Sequence, residues 1–176
     1  MERSGTSLRF VKGHGTENDF VLLPDPDCSQ GPPSPALVRA LCDRHAGLGA
    51  DGVIRVVRTR AYDGPAAVAA RDAAEWFMDY RNADGSLSEM CGNGVRVLGR
   101  YLARHEDVDV RRPLPVATRA GVKELVFADA DPDGEITVDM GVPRVLDATT
   151  VVAGRQRLDA VHVDMGNPHA SRSSTT

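Results

Sequence analysis

Apolar positions in this chain fall in short clusters separated by polar, turn-forming segments. Leu8 to Val11 and Phe20 to Leu23 read as strands, joined by the polar run Lys12-Gly13-His14-Gly15-Thr16-Glu17-Asn18-Asp19. Five prolines between residues 24 and 35 predict a loop. Ser34 followed by Pro35 predicts a helix start: a hydroxyl to accept an N–H, then a ring whose missing N–H costs nothing there. Leu37, Val38, Ala40 and Leu41 give that helix a short apolar face, and Gly47 is its expected stop. Gly52 to Val57 and Glu75 to Tyr80 read as further strands, the latter with Trp76, Met78 and Tyr80 on one side.

The spacing changes after residue 94. Val95, Leu98 and Leu102 stand at i, i+3 and i+7, one stripe of a second helix running to about His105. After Pro113 the strand pattern returns. Leu125 to Ala128, the turn-forming Asp131-Pro132-Asp133-Gly134, and Ile136, Val138 and Met140 predict a hairpin. Val161 to Met165 is another strand. Val-Asp-Met-Gly recurs at 138–141 and 163–166, too short a match to establish a repeat. The sum is a strand-rich α+β chain with two short helices. Residues 171–176, Ser-Arg-Ser-Ser-Thr-Thr, resemble neither strand nor cap.

Composition narrows the function classes. The chain has 176 residues, 41% hydrophobic, enough for a packed core. A net charge of -4 argues against a nucleic-acid groove. No apolar run approaches the roughly 18 residues of a membrane helix, and Met1-Glu2-Arg3-Ser4-Gly5 lacks a signal's apolar segment. The three cysteines, Cys28, Cys42 and Cys91, cannot all pair within the chain. A soluble, cytoplasmic protein is expected.

Gly47-Leu48-Gly49-Ala50-Asp51-Gly52 matches G-x-G-x-x-G literally. A dinucleotide site needs a strand before that motif and a helix after it, and here the order is reversed. The segment reads as a helix-to-strand connection. The histidines are scattered and there is no C-x-x-C or H-x-x-x-H pair, so no metal site is expected. No G-x-S-x-G is present to suggest a serine hydrolase.

The segment from Asn82 to Arg96, Asn-Ala-Asp-Gly-Ser-Leu-Ser-Glu-Met-Cys-Gly-Asn-Gly-Val-Arg, carries more chemistry. It sets Cys91 at the opening of the second helix, where free N–H groups hold about half a positive charge and stabilise a thiolate. Gly92 and Gly94 would let a substrate carboxylate approach those N–H groups. The competing reading is an inert, buried cysteine, which is how Cys28 and Cys42 are read. Asn18, Asn82 and Asn167 each also suit an ordinary turn.

Taken together, these segments resemble the diaminopimelate epimerase family. The matching pieces are Phe10 to Phe20, Gly47 to Gly52, Asn82 to Arg96, and Met165-Gly166-Asn167-Pro168-His169. The resemblance implies a cofactor-independent epimerase that interconverts LL- and meso-diaminopimelate in lysine and peptidoglycan biosynthesis. It implies two pseudo-symmetric α+β lobes, each wrapping strands around a central helix, with the substrate between them. One cysteine per lobe moves the proton. By the same resemblance Cys91 is the first catalytic cysteine, and Asn18, Asn82, Gly92, Asn93 and Asn167 contact the substrate. His169 supports the reacting centre. Gly52 stands where some members carry a substrate-contacting glutamine, and Thr16-Glu17 replaces the commoner Leu-Gly with no functional change attached to it.

The resemblance also implies an incomplete molecule. Residues 1–140 correspond to the first lobe and residues 141–176 to the beginning of the second, truncated lobe. Neither Cys28 nor Cys42 lies in the context of the second catalytic cysteine, so residues 1–176 alone are expected to be inactive. A strand closing the first lobe would be absent too. Apolar surface left open would favour aggregation or a homodimer. Two other readings stand beside this one: a related proline or hydroxyproline racemase, and a truncated, non-catalytic product.

Overall fold

The computed structural model describes residues 7–166 and 168–172. The chain falls into two units divided between Asp139 and Met140. The first is built on seven strands whose order in the sheet is their order in the chain. They are β1 (Val11–Gly15), β2 (Asn18–Pro24), β3 (Gly52–Arg58), β4 (Trp76–Asn82), β5 (Leu114–Thr118), β6 (Gly121–Phe127) and β7 (Ile136–Val138). Three helices lie between them: α1 (Pro35–Cys42), α2 (Pro65–Ala70) and α3 (Gly92–His105). β2 runs parallel to β3, and β4 parallel to β5, with α1 and α3 as their crossovers; the other neighbours are antiparallel.

Strand alternation sorts the core onto two faces. Phe20, Leu22, Ile54, Val56, Trp76, Met78 and Tyr80 pack with Val95, Leu98 and Leu102 of α3. Val21, Leu23 and Val53 point the other way, onto Val38 and Cys42 of α1. Val57, Phe77 and Ala117 meet Ala67 and Ala70 of α2. Because helices cover both faces, β3 and β4 are buried along most of their length, unlike β6, which alternates buried and exposed. Helix α3 touches strands from β1 at one edge to β7 at the other, so the sheet curls around it. Val95, Leu98 and Leu102 are fully buried, each contributing on the order of 1.5–3 kcal/mol.

Arg55 on β3 faces the α1 and α2 side and is buried. Its Nε donates to Asp25 Oδ2 at 2.8 Å, and a second nitrogen lies 3.5 Å from Asp79. Asp79 also pairs with Arg119, which neutralises the buried carboxylate from two sides.

The second unit contains a separate antiparallel sheet of three strands, β8 (Arg144–Ala153), β9 (Gln156–Asp164) and β10 (Pro168–Ser171), with β9 central. A bulge between Val145 and Ala148 interrupts the β8–β9 register. Val142, Val145 and Val152 are exposed.

The α+β lobe with strands around a helix is the architecture expected; several boundaries differ. The run 12–19 is a hairpin rather than a linker, with Gly15 opposite Asn18. Its two turn residues, Thr16 and Glu17, both have positive φ, 55° and 65°, as a two-residue type I′ turn requires. The inward positions of β1 are Val11, Gly13 and Gly15. A Cβ on Gly13 would sit 2.9 Å from Val97 of α3, so beyond Val11 the strand alternates glycine and polar residues and carries no hydrophobic period.

There are three α-helices among the described residues, not two. α2 was not anticipated because its buried residues are only alanines, Ala67 and Ala70. α1 begins where expected, Leu37 N–H donating to Ser34 Oγ at 3.2 Å, but ends at Cys42. The Asp43 carboxylate accepts from the N–H groups of His45 and Ala46, diverting the backbone before Gly47. β8 was not expected, and β9 begins five residues before Val161. Met140 lies beyond the end of β7.

Candidate active site

The path to Cys91 starts at Asn82, the last residue of β4. Asn82 N–H donates to Ser86 O at 3.0 Å, and Gly85 N–H returns to Asn82 O at 2.8 Å. This turn demands a positive φ of 88° at Gly85, where a Cβ would also meet Pro35 of α1. The chain then doubles back along β4, with Ser88 N–H donating to Tyr80 O at 3.3 Å. Arg119 donates to the carbonyls of Tyr80 and Ser88 at 3.0 and 3.1 Å while pairing with Asp79. Met90, 1% exposed, anchors the end of the loop in the core.

Cys91 is the N-cap of α3, with extended backbone (φ −139°, ψ 119°). Its carbonyl accepts the N–H of Val95 at 2.8 Å, and its sulfur accepts that of Gly94 at 3.4 Å. A side chain at position 94 would lie 2.8 Å from Met78 Cε and 3.2 Å from Ile54, so glycine lets the first turn settle onto the sheet. Cys91 is half-buried, whereas Cys42 is buried. Burial pushes the Cys42 and Cys28 thiols up from their ordinary value.

Asn18 opens β2, and its Oδ1 lies 3.8 Å from Cys91 Sγ. Its Nδ2 donates to Asp51 Oδ2 at 2.5 Å. Asp51 also accepts from Asp19 N–H at 3.1 Å and from Arg44 at 2.7 Å. Arg44 and Lys12 both reach Asp19. The Arg44 hydrogen bond, helped by Lys12 and opposed by burial, holds the Asp19 carboxyl well below the usual carboxylate range. Asn93 Oδ1 faces Thr16 Oγ1 at 3.5 Å and also accepts from Arg96. Burial pushes the Tyr80 phenol well above its ordinary value.

The structure thus brings Cys91, Gly92, Asn93 and Asn18 together where the β1–β2 turn meets the start of α3. Asn82 lies opposite Gly52 across the β3–β4 ladder, its side chain donating to Ser86 Oγ at 3.0 Å. Gly52 has no room for a side chain: a Cβ would lie 2.5 Å from the Tyr80 ring and 2.6 Å from Arg81 O. His169 is an exposed residue of β10 in the second unit, opposite Val163. Asn167 lies outside the described residues. Asp19, Arg44 and Asp51 were not anticipated. The sequence signal for Asp51 is its place in the Gly-rich segment 47–52, whose order of elements marks it as a helix-to-strand connection.

Among the described residues, no three His, Cys, Asp or Glu side chains cluster as metal ligands. Among them, no helix is long and apolar enough to cross a membrane. A groove of about 480 Å³ along α3, lined by His14, Arg96, Arg100 and Tyr101, does not include Cys91.

Comparison with known proteins gives a consistent picture. The family model described as diaminopimelate epimerase matches residues 10–146. A diaminopimelate epimerase of Thermobifida fusca is 54% identical over 166 residues, covering 92% of this chain and 58% of the relative. One of Streptomyces coelicolor is 52% identical, covering 94% and 55%. One of a Mycobacterium species is 46% identical, covering 96% and 60%. The chain therefore spans little more than half the length of these relatives. Two solved structures share the fold alone. A hydroxyproline epimerase from Agrobacterium vitis aligns with TM-score 0.64 at 13% identity, over 92% of this chain and 50% of its own. A probable proline racemase from Agrobacterium radiobacter aligns with TM-score 0.65 at 11% identity, over 93% and 51%.

Proposed function

This chain belongs to the diaminopimelate epimerase family, and from that premise we propose that it carries half of the site of a cofactor-independent amino-acid epimerase. The substrate is diaminopimelate, interconverted between its LL and meso forms in lysine and peptidoglycan biosynthesis in the cytoplasm. The unit ending at Asp139 is taken as the first lobe, and the remainder as the start of the second. Neither Cys28 nor Cys42 has the setting of a second acid–base group. We assign that role to the part of the family's length that this chain does not span.

The chemistry requires two sulfurs. One thiolate takes the α-proton, breaking the Cα–H bond and leaving its electron pair on carbon beside the carboxylate. A thiol on the opposite face then delivers a proton to that carbon and becomes the thiolate. A single group returning its own proton would restore the original configuration. With no cofactor to hold the electron pair, hydrogen-bond donors aimed at the carboxylate must stabilise the developing charge. The N–H groups at the start of α3, with the Asn18 and Asn93 side chains, are assigned to that task. Asn82 and Asn167 are assigned as further substrate contacts, and His169 as a supporting group near the reacting centre.

One observation carries the reading: Cys91 caps α3 with its sulfur between the Gly94 N–H, 3.4 Å away, and the Asn18 oxygen, 3.8 Å away. Interconversion by a fusion of this chain to the remaining length of the Thermobifida fusca relative tests it. Cys91→Ala is expected to lower the rate by about 10²–10⁴-fold, the usual contribution of a positioned acid–base group. An unchanged rate would refute the role of Cys91. Purified residues 1–176 alone are expected to give no interconversion.

The identity of 45% or more to proteins named diaminopimelate epimerase favours that substrate over proline or hydroxyproline, for which the likeness extends to fold alone. As a partner besides the substrate we propose a second copy of the chain, since Val142, Val145 and Val152 leave apolar surface open in the second unit.

A further inference from the structure

An asparagine amide has one end that accepts and one that donates, and a carboxylate can only accept. Asp51 Oδ2 takes the Nδ2 end of Asn18 at 2.5 Å, which leaves Oδ1 facing Cys91 Sγ at 3.8 Å. The carboxylate is itself held. Its Oδ2 also accepts from Asp19 N–H, its Oδ1 accepts from Arg44, and Asp51 N–H donates to Asp19 O at 2.9 Å.

We propose that Asp51 is a positioning residue for Cys91, acting through the orientation of the Asn18 amide. The inference deepens, and rests on, the reading of Cys91 as an acid–base group. Turned as it is, the amide offers the sulfur an acceptor, which suits an S–H. Turned over, it would offer an N–H, which suits a sulfur anion. Each turnover starts with one sulfur protonated and the other ionised. Asp51 thereby assigns the protonated role to this cysteine before substrate arrives. The charged and titratable groups around the pair are Arg44, Asp19 and Lys12 on the Asp51 side, Tyr80 beside Cys91, and Arg96 on Asn93.

Asp51→Asn tests this, because the new amide can present either end to Asn18 and frees it to turn. The readouts are alkylation of each cysteine by iodoacetamide between pH 6 and 9, the Asn18 side-chain NH₂ resonances, and the melting temperature. In the variant, Cys91 alkylation near neutral pH is expected to rise about threefold or more, its profile moving to lower pH. The Asn18 resonances should move to free-amide positions, while the rate at Cys28, which lies among Arg55, Asp25 and Asp79, stays as in the unmodified chain. Asp51→Glu, which keeps a carboxylate, should lie nearer the unmodified profile. Unchanged Asn18 resonances with an unchanged Cys91 profile would overturn the proposal. If Cys91 of the unmodified chain is inert to iodoacetamide, it is the acid–base reading that fails. The Asn18 resonances still decide whether Asp51 holds the amide.

Discussion

Arg119, in the turn between β5 and β6, donates to the carbonyl of Ser88 at 3.1 Å from 31 positions further along the chain. The same guanidinium holds Tyr80 O and Asp79, so one side chain ties the loop before Cys91 to the sheet beneath it. The loop that delivers the sulfur is therefore held by a residue outside every segment that marks the site in the sequence.

Arg119→Met is expected to cost about 3 kcal/mol of stability, because it leaves the buried Asp79 with only the more distant Arg55. Urea unfolding measures that cost. Hydrogen exchange should separately show faster exchange at the Ser88 amide than at the amides of β3.

Acid should weaken the β1–β2 hairpin through Asp19. Its carboxyl titrates below the ordinary range when folded and within it when unfolded. The resulting stability is complete above that range and is lost as pH falls through it and below. Arg44→Met removes the main cause of the shift, so its stability should fall less steeply between pH 5 and pH 2.5. Equally steep curves for the two proteins would remove Arg44 from this role.

Gly52→Gln should destabilise the fold by about 1–3 kcal/mol, the usual range for overpacking. The new Cβ meets the Tyr80 ring and the backbone oxygen of Arg81, and the latter cannot swing aside. Gly52→Ala should share most of the loss, since the conflict begins at the first side-chain carbon. Thermal melts of the two variants decide this.

Glu17→Gly should stabilise the chain by about 0.5–1 kcal/mol. Glu17 has a φ of 65°, which costs a residue with a Cβ about 1–2 kcal/mol, partly offset by the greater freedom of glycine when unfolded. Denaturant midpoints measure the difference, and a lower midpoint would contradict it.

How far the sequence disclosed this molecule follows from where hydrophobic pattern and structure coincide. The stripe Val95, Leu98, Leu102 and the alternation Trp76, Met78, Tyr80 were legible because both bury apolar side chains against each other. Most of β1 was not, because its inward positions after Val11 are glycines that make room for α3. α2 was not, because alanine spacing gives a weak amphipathic signal. At the site, the capping position of Cys91 could be read from its flanking glycines. The chain from Arg44 through Asp51 to Asn18 could not, because it joins α1's far end to the β2 and β3 starts through polar side chains with no periodicity.

The seven strands lie in the sheet in the order in which a ribosome would release them. Each new strand therefore finds its neighbour already made, and early pairing closes only modest loops. α3 is different, since it touches both β1 and β7. The helix emerges with its thiol at the leading end but cannot complete its seat until β7 has been synthesised some thirty residues later. Completing the seat of α3 is thus a late event in the birth of this unit, and a ribosome stalled before residue 136 should leave the middle of the helix, around Gly99, without its cover from Ile136.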